Sequence, residues 1–477
     1  MADGRSRTAD RNAQFGLGLL ALGLLVLGPA GCATLPVAEP DLAIPANVEF
    51  QGQQGILSEA RGEQLLGQLE RETATPDMLR THLAYEQTIA VDSPLVLGNK
   101  VTLLQNGPDT HAAMLEAIRS AVDHVNLETY IFDDGELGQE FAALLLQKQA
   151  SGVQVNILYD SVGGLLTPES FFEELREGGI AVIEFNPVNP LAEDPKTWRA
   201  NNRDHRKQLV VDGRIAFIGG VNISDGYSSV PLGKPAPHVK RAAATDSGEG
   251  WRDTHIQIEG PVVAEFQRLF LDSWTRQTEA PPTPSNYYPE LSAKGDGIVR
   301  AIGSRAEEKA SPIYMTLVSA ITRAQTDVHL TVAYFGPDAV LLKALTDTAQ
   351  RGVKVKLVLP SHTDSAAIFH LGRSHYATLL KAGVEIHERQ GAVMHAKTAV
   401  IDSVWSTIGS SNLDWRSFVH NDEINAVVLG GDFAGQMNAM FAEDLAESEQ
   451  ISLAEWRRRS WWLRIKEGFS RLGAYWL

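Results

Sequence analysis

"DHRKQLVVDG" (residues 204–213) and "MHAKTAVIDS" (residues 394–403) place a histidine, a lysine and an aspartate at the same offsets, 190 positions apart in one chain. The spacing is H-x-K-x-x-x-x-D, followed in each copy by a glycine and an asparagine. The first copy has His205, Lys207, Asp212, Gly219 and Asn222; the second has His395, Lys397, Asp402, Gly409 and Asn412. A second match at five fixed positions has a chance probability on the order of one in ten thousand over such a length. Side chains two apart on a strand share a face, so each histidine and its lysine point together while the residue between them faces away. Val210, Val211, Val400 and Ile401 are the buried strand body. Asp212-Gly213 is a hairpin signal, which gives the two aspartates a turn role beside a catalytic one.

The flanks repeat as well. "MLEAIRSAVDHVNLETYIF" (114–132) is echoed by "LVSAITRAQTDVHLTVAYF" (317–335), "GVQVNILYDS" (152–161) by "GVKVKLVLPS" (352–361), and "LREGGIAVIEF" (175–185) by "LLKAGVEIHER" (379–389). Each half thus predicts helix, strand, helix, strand, helix, strand and then the polar motif, an α/β unit built twice. The Pro-rich "EAPPTPSNYYPEL" (279–291) cannot continue a helix or an inner strand and marks the join near Ser285.

Bulk properties narrow the chemistry. The chain has 477 residues, 44% of them hydrophobic, enough for two or three domains with a well-buried core. A formal net charge of −17 disfavours nucleic acid as a partner, since an acidic surface repels a polyanion outside a local basic site. The single cysteine, Cys32, excludes an internal disulfide and a thiolate metal cluster within one chain. Arg5, Arg7 and Arg11 precede an apolar stretch from Phe15 to Gly28 that breaks at "PAGCATL". Its short length favours an export signal over a membrane span. The stretch resembles a bacterial lipoprotein signal, with Ala30 and Gly31 before Cys32 as the lipidated residue and Pro29 where leucine is usual. A spacer with one or two helices follows, including "SEARGEQLLGQLERE".

Two histidines, two lysines and two asparagines brought together by pseudo-twofold packing make one site for a phosphodiester. One neutral imidazole attacks phosphorus; the other, protonated, donates to the departing alkoxide and then, as a base, activates the incoming hydroxyl. The lysines, Asn222, Asn412 and the small residues closing the return strands "IAFIGG" and "WSTIGS", Ser410 among them, are expected to hold the non-bridging oxygens, so that neither a metal nor another cofactor is called for.

These residues resemble the twin motifs of the phospholipase D superfamily, and the resemblance runs from about 96 to 445. The likeness is strongest to the bacterial cardiolipin synthases, carried by "YIFDDGELG", "NNRDHRKQLVVDGRIAFIGGVNISDGY", "WRDTHIQIEGPVV", "MHAKTAVID" and "GSSNLDWRSFVHNDEIN". It implies two α/β/α sandwich domains with the active site at their interface, and His205 as nucleophile with His395 as acid, an order the residues alone leave open. It also supplies Glu423 and Asp253 as carboxylates orienting the histidines, and Asp414 and Arg416 as braces of the site.

The expected layout is a signal over 1–31, a spacer over 32–95, phospholipase D-like domains over 96–285 and 286–445, and a tail over 446–477. In that tail Trp456, Trp461, Trp462, Phe469, Tyr475 and Trp476 are interleaved with Arg457, Arg458, Arg459, Arg464, Lys466 and Arg471, the pattern of an interfacial helix on anionic lipid. The 24-residue "YSSVPLGKPAPHVKRAAATDSGEG" (227–250) is read as a lid or headgroup contact, or equally as a loop without order. The expected protein is a membrane-anchored, exported phosphatidyltransferase of the bacterial envelope, with a phosphatidylglycerol-like donor and a phospholipid or alcohol acceptor. A hydrolytic phospholipase D, a nuclease of the same superfamily and a non-catalytic membrane scaffold are the alternatives.

Overall fold

The duplicated pattern resolves, in a computed structural model of the chain, into two runs of the same elements. Residues 47–53, 55–188, 201–228, 250–306, 308 and 310–473 are described by the structure. The leader with Cys32, most of the 227–250 insertion, and Tyr475 and Trp476 lie outside the described residues.

Helices α1 (Glu59–Glu72) and α2 (Pro76–Ile89) come first. The first half then runs β1 (Leu95–Gln105), α3 (Asn106–Ser120), β2 (His124–Thr129), α4 (Glu136–Ala150), β3 (Gln154–Asp160), α5 (Glu169–Glu177), β4 (Ala181–Phe185), β5 (Gln208–Val211), β6 (Ile215–Gly219), β7 (Thr254–Glu259) and α6 (Val263–Thr278). The second runs β8 (Gly297–Ser304), α7 (Pro312–Arg323), β9 (Asp327–Val332), α8 (Ala339–Gln350), β10 (Lys354–Pro360), α9 (Ala366–Ala382), β11 (Glu385–Arg389), β12 (Lys397–Ile401), β13 (Trp405–Gly409), β14 (Asn421–Leu429) and α10 (Gly431–Ala446). The strand order is β1-β7-β6-β5-β2-β3-β4 in one half and β8-β14-β13-β12-β9-β10-β11 in the other. In both, the three strands preceding the motif (β2, β3, β4 and β9, β10, β11) are parallel, joined by crossover helices. β1 and β8 pair antiparallel and join the two sheets.

The unbroken apolar run of each motif strand follows from burial on both faces. On β5, Leu209 and Val211 pack with Met114, Ile118, Phe141 and Leu145 of α3 and α4. Val210 points the other way, into a core where Ala216, Ile218 and Ile256 meet Val400, Ile408, Ile424 and Ala426 of the second half. The face-to-face contact of the sheets is thus apolar in its body, and the polar ends of the motif strands are left to meet at its edge.

The spacer helices are part of this packing. Leu65, Leu66, Leu69, Met78, Leu79 and Leu83 are buried, Glu86 of α2 faces the buried Arg300 of β8 at 3.4 Å, and His82 Nδ1 stands 3.0 Å from Ser319 Oγ of α7. At the other end, α11 (Leu453–Arg458) and α12 (Trp461–Leu472) dock on α9. Trp456, expected at a lipid interface, is instead buried, with its ring 4.8 Å from Tyr376 and under the guanidinium of Arg459. α12 faces the domain with its polar side: Glu467 is buried and takes both prongs of Arg459, and Arg471 donates to Ser374. Trp461, Trp462, Ile465 and Phe469 point outward. No described helix is long and apolar enough to cross a membrane.

The motif aspartates do not reach the histidines; this corrects the catalytic role expected of them. Each sits at the far end of its strand, seven residues on and so roughly 20 Å along it. Asp212 (φ 53°) and Gly213 (φ 60°) form the hairpin between β5 and β6, as Asp402 (φ 50°) and Ser403 (φ 53°) do between β12 and β13. Positive φ at both central residues matches the twist of the flanking strands. The Asp212 carboxylate accepts from the amides of Val122, Asp123 and His124, and Asp402 from those of Gln325, Thr326 and Asp327, so each clamps the helix-to-strand turn before its half's first parallel strand. Leaving three such amides without their acceptor costs about 3 kcal/mol. Asp402→Ala should lower the thermal midpoint while turnover per folded molecule stays unchanged; lost turnover at full stability would return the aspartate to the chemistry.

Candidate functional site

His205 and His395 open into one cavity of about 320 Å³, lined also by Tyr130, Arg203, Asn222, Trp251, Tyr334, Asp364, Asn412, Asp414 and Arg416. The polar stretches before β5 and β12 reach it because each is pinned to the opposite half. Arg203 and Asp204 run parallel to Asn421 and Asp422, and the His205 amide donates to the Asp422 carbonyl at 2.9 Å. Trp251 and Arg252 run parallel to Val393 and Met394, and the His395 amide donates to the Arg252 carbonyl at 2.7 Å.

The carboxylates cross in the same way. His205 Nδ1 stands 3.0 Å from Glu423 Oε2, and His395 Nδ1 stands 2.7 Å from Asp253 Oδ2. An ionised carboxylate only accepts, so the proton sits on Nδ1 and each Nε2 carries its lone pair. Burial lowers His205 to about 4 despite Glu423, and carries His395 well below the usual histidine range, helped by Lys397 and Lys207. Both rings are therefore neutral at neutral pH.

The two carboxylates differ. Burial would raise Glu423, but the charge and hydrogen bond of His205, with Lys207 and the Ser410 hydroxyl, outweigh it and hold it at about 2. Glu423 also accepts from Asn421 Nδ2 at 3.1 Å. Asp253 accepts from the Thr254 amide at 2.7 Å, yet burial pushes it up to about 6 against Lys397. Each lysine donates to the carbonyl of its own motif histidine. Burial brings Lys207 down to about 7 and Lys397 to about 8.

The small residues closing β6 and β13 act differently from expectation. The amides of Gly220 and Ser410 donate to the carbonyls of Thr254 and Ile424 within the sheets and face no ligand. Smallness serves the carboxylates: a Cβ on Gly220 would lie 2.2 Å from Asp253 Oδ1. Ser410, expected on substrate phosphate, is fully buried outside the cavity lining and donates to Glu423. Asn222 and Asn412 do line the cavity. Asn222 holds Tyr227 Oη at 2.9 Å, and that hydroxyl stands 3.1 Å from His395 Nδ1; the Asn412 side-chain oxygen is buried without a partner among the described residues. Asp414 accepts from the Ser417 amide at 2.8 Å, and Arg416 donates to Asn201.

Sequence reasoning passed over Tyr130, Arg203, Trp251, Tyr334 and Asp364. Arg203 stands two residues before His205, a signal available from spacing; Tyr334 and Asp364 lie in the loops that follow β9 and β10, and only the three-dimensional arrangement brings them in. Among the described residues no cluster of histidines, cysteines or carboxylates has metal-ligand geometry.

With this geometry in place, comparison with known proteins is direct. The family profile for the cardiolipin synthase, phospholipase D-like domain matches residues 114–229 and 317–445. The cardiolipin synthase of Halalkalibacterium halodurans is 34% identical over 384 residues, covering 80% of this chain and 73% of that one. The chain belongs to the cardiolipin synthase family. The major cardiolipin synthase of Bacillus subtilis is 32% identical over 376 residues, 78% of this chain and 74% of that one. The crystal structure of phosphatidylserine synthase from Haemophilus influenzae Rd KW20 has the same fold, with a TM-score of 0.62 at 13% identity, covering 82% of this chain and 99% of that one. The expected phospholipase D architecture is thereby borne out.

Gly220 provides a test of the site's geometry. In this family member, Gly220→Ala should displace Asp253 from His395 and lower turnover about 100-fold with the circular dichroism spectrum retained. Gly226→Ala, whose nearest neighbour would be 3.8 Å away, should leave turnover unchanged. Full activity in Gly220→Ala would contradict the role given to Asp253.

Proposed function

We propose that the protein is a cardiolipin synthase-like phosphatidyltransferase in which the halves 96–285 and 286–445 act as paired phospholipase D-like domains around one phosphodiester. The observation that carries this is the crossed pair of carboxylate-held histidines facing a single cavity. His395, neutral in the free protein, takes up a proton from solvent when the anionic phosphodiester lies beside it. Neutral His205 then attacks phosphorus through Nε2, the bond to the departing alkoxide breaks, and His395 gives the alkoxide that proton, leaving a phosphatidyl-His205 and a neutral His395. Neutral His395 then takes the proton of the acceptor hydroxyl, whose oxygen attacks phosphorus and breaks the P–N bond.

His205 suits the nucleophile's part because Glu423, held by Ser410 and Asn421, stays ionised and keeps the imidazole electron-rich. Gly220, at the place equivalent to Ser410, gives Asp253 no such donor. Lys207 and Lys397, buried behind the cavity lining, each spend one proton on a main-chain carbonyl and set positive charge behind the histidines for the non-bridging oxygens, while Asn412 faces the cavity itself. The substrate is a phosphatidylglycerol-like donor with a phospholipid or other alcohol as acceptor. Lipidation at Cys32 and the outward aromatic side of α12 hold the protein at the envelope membrane, two attachments where one gives only marginal binding.

Purified protein given phosphatidylglycerol should release glycerol and form cardiolipin, with a kcat/KM that is greatest between the Asp253 value of about 6 and the Lys207 value of about 7. Lys207 titrates below its ordinary range, so its charge is lost as pH rises through about 7 and the rate falls on that side. Phosphatidic acid as the only product would identify a hydrolytic phospholipase D instead.

A further inference from the structure

The cavity of about 320 Å³ takes a phosphodiester and its glycerol stubs but leaves two acyl chains outside. What surrounds its mouth therefore bears on how a lipid arrives. The loop following β3, residues 161–168, abuts the lining. Arg203 donates to Ser161 Oγ at 2.6 Å, and Gly163 presses so close to Tyr130 that a Cβ there would lie 1.7 Å from the Tyr130 carbonyl oxygen. The loop is fastened at both ends: the Val162 amide donates to Asp160 Oδ1 at 2.8 Å and Thr167 Oγ1 to the Phe132 carbonyl at 2.9 Å. Between these fastenings Leu165 is 61% and Leu166 96% exposed. A pinned loop that presents two adjacent leucines to solvent has no packing reason to do so.

In the second half the equivalent loop after β10 supplies Asp364 and Ser365 to the lining, and α9 follows with Ile368. α12 runs parallel to α9, since Lys466 and Glu467 face His370, and Arg471 reaches Ser374 and faces His375. The start of α12 is therefore level with the start of α9, at the mouth. There Trp461 (58% exposed) and Trp462 (60% exposed) stack on one another, 3.9 Å between ring centroids. Arg457, Arg458, Arg464 and Lys466 are exposed beside them on a chain whose net charge is −17. Basic side chains around aromatic ones on an otherwise acidic protein complement an anionic lipid surface.

We propose that Leu165, Leu166 and the Trp461–Trp462 pair form a split rim that inserts into an anionic phospholipid bilayer and sets the mouth of the His205–His395 cavity at headgroup depth. The proposal rests on the phospholipid reading of the site. A lipid then reaches the histidines by rising a short way along the rim, its chains still in the bilayer. The test uses the full-length protein and a Leu165→Ser/Leu166→Ser double variant, whose changes are exposed and lie outside the cavity lining. Turnover is compared on phosphatidylglycerol vesicles and on dihexanoyl phosphatidylglycerol kept below its micelle concentration. Loss of two leucines from the bilayer should lower vesicle flotation and vesicle turnover roughly tenfold or more, with turnover of the monomeric lipid unchanged. Unchanged vesicle turnover, or equal loss on both substrates, would overturn the proposal. So would a lipid-free dimer of the parent protein that the double variant converts to a monomer, since a second copy would then be what covers the leucines. Absence of turnover of both the vesicle and the monomeric lipid by the parent protein is a separate result, which defeats the phospholipid reading itself.

Discussion

The hydrogen bonds that cross between the halves, His205 to Glu423 and His395 to Asp253, are the constraint on which the site depends. Neither half can orient its own histidine. A carboxylate buried without its partner would be costly, as would an imidazole with an unmet Nδ1–H, so each half stabilises the other's polar end. The main-chain bonds beside them, from the His205 amide to Asp422 and from the His395 amide to Arg252, fix the approach before any side chain is placed. The apolar contact of the two sheets supplies the bulk of the attraction and is indifferent to small shifts; the crossed pairs set the register.

Duplication gives the site its pseudo-symmetry, and the residues around the two carboxylates break it. Where the second half closes its return strand with Ser410, the first has Gly220. The serine hydroxyl adds a donor to Glu423, whereas the glycine's lack of a side chain admits Asp253 without adding one. Against the cost of burial, Glu423 is held at about 2 chiefly by the charge and hydrogen bond of His205, with Lys207 and Ser410 adding to them, whereas burial raises Asp253 to about 6. Two histidines of identical motif thereby acquire different partners, which suits one to attack and the other to carry protons.

Much of this was legible in the sequence because the relevant signals are periodic. The repeat of helix and strand, the H-x-K offset and the Asp212-Gly213 turn are local patterns, and the structure places them as the spacing predicts. Composition and offset misled where a residue type suits two environments. Asp212 and Asp402 belong to the motif by spacing, but their carboxylates cap backbone amides. Ser410 sits in an anion-binding context by type, but it is fully buried and serves Glu423. Trp456 shares the aromatic and basic pattern of the tail, yet packs inside on Tyr376, while Trp461 and Trp462, five and six residues later, face out. Which side of an amphipathic helix docks is decided by the surface it meets, here the polar side of α12 through Arg459, Glu467 and Arg471.

The central claim is that the Glu423-held His205 forms the covalent intermediate and the Asp253-held His395 moves the protons. The direct measurement is mass spectrometry of peptides from the parent chain quenched during turnover of phosphatidylglycerol. The account predicts a phosphatidyl group on His205. An adduct on His395 in the parent chain, or turnover surviving in His205→Ala, would contradict it.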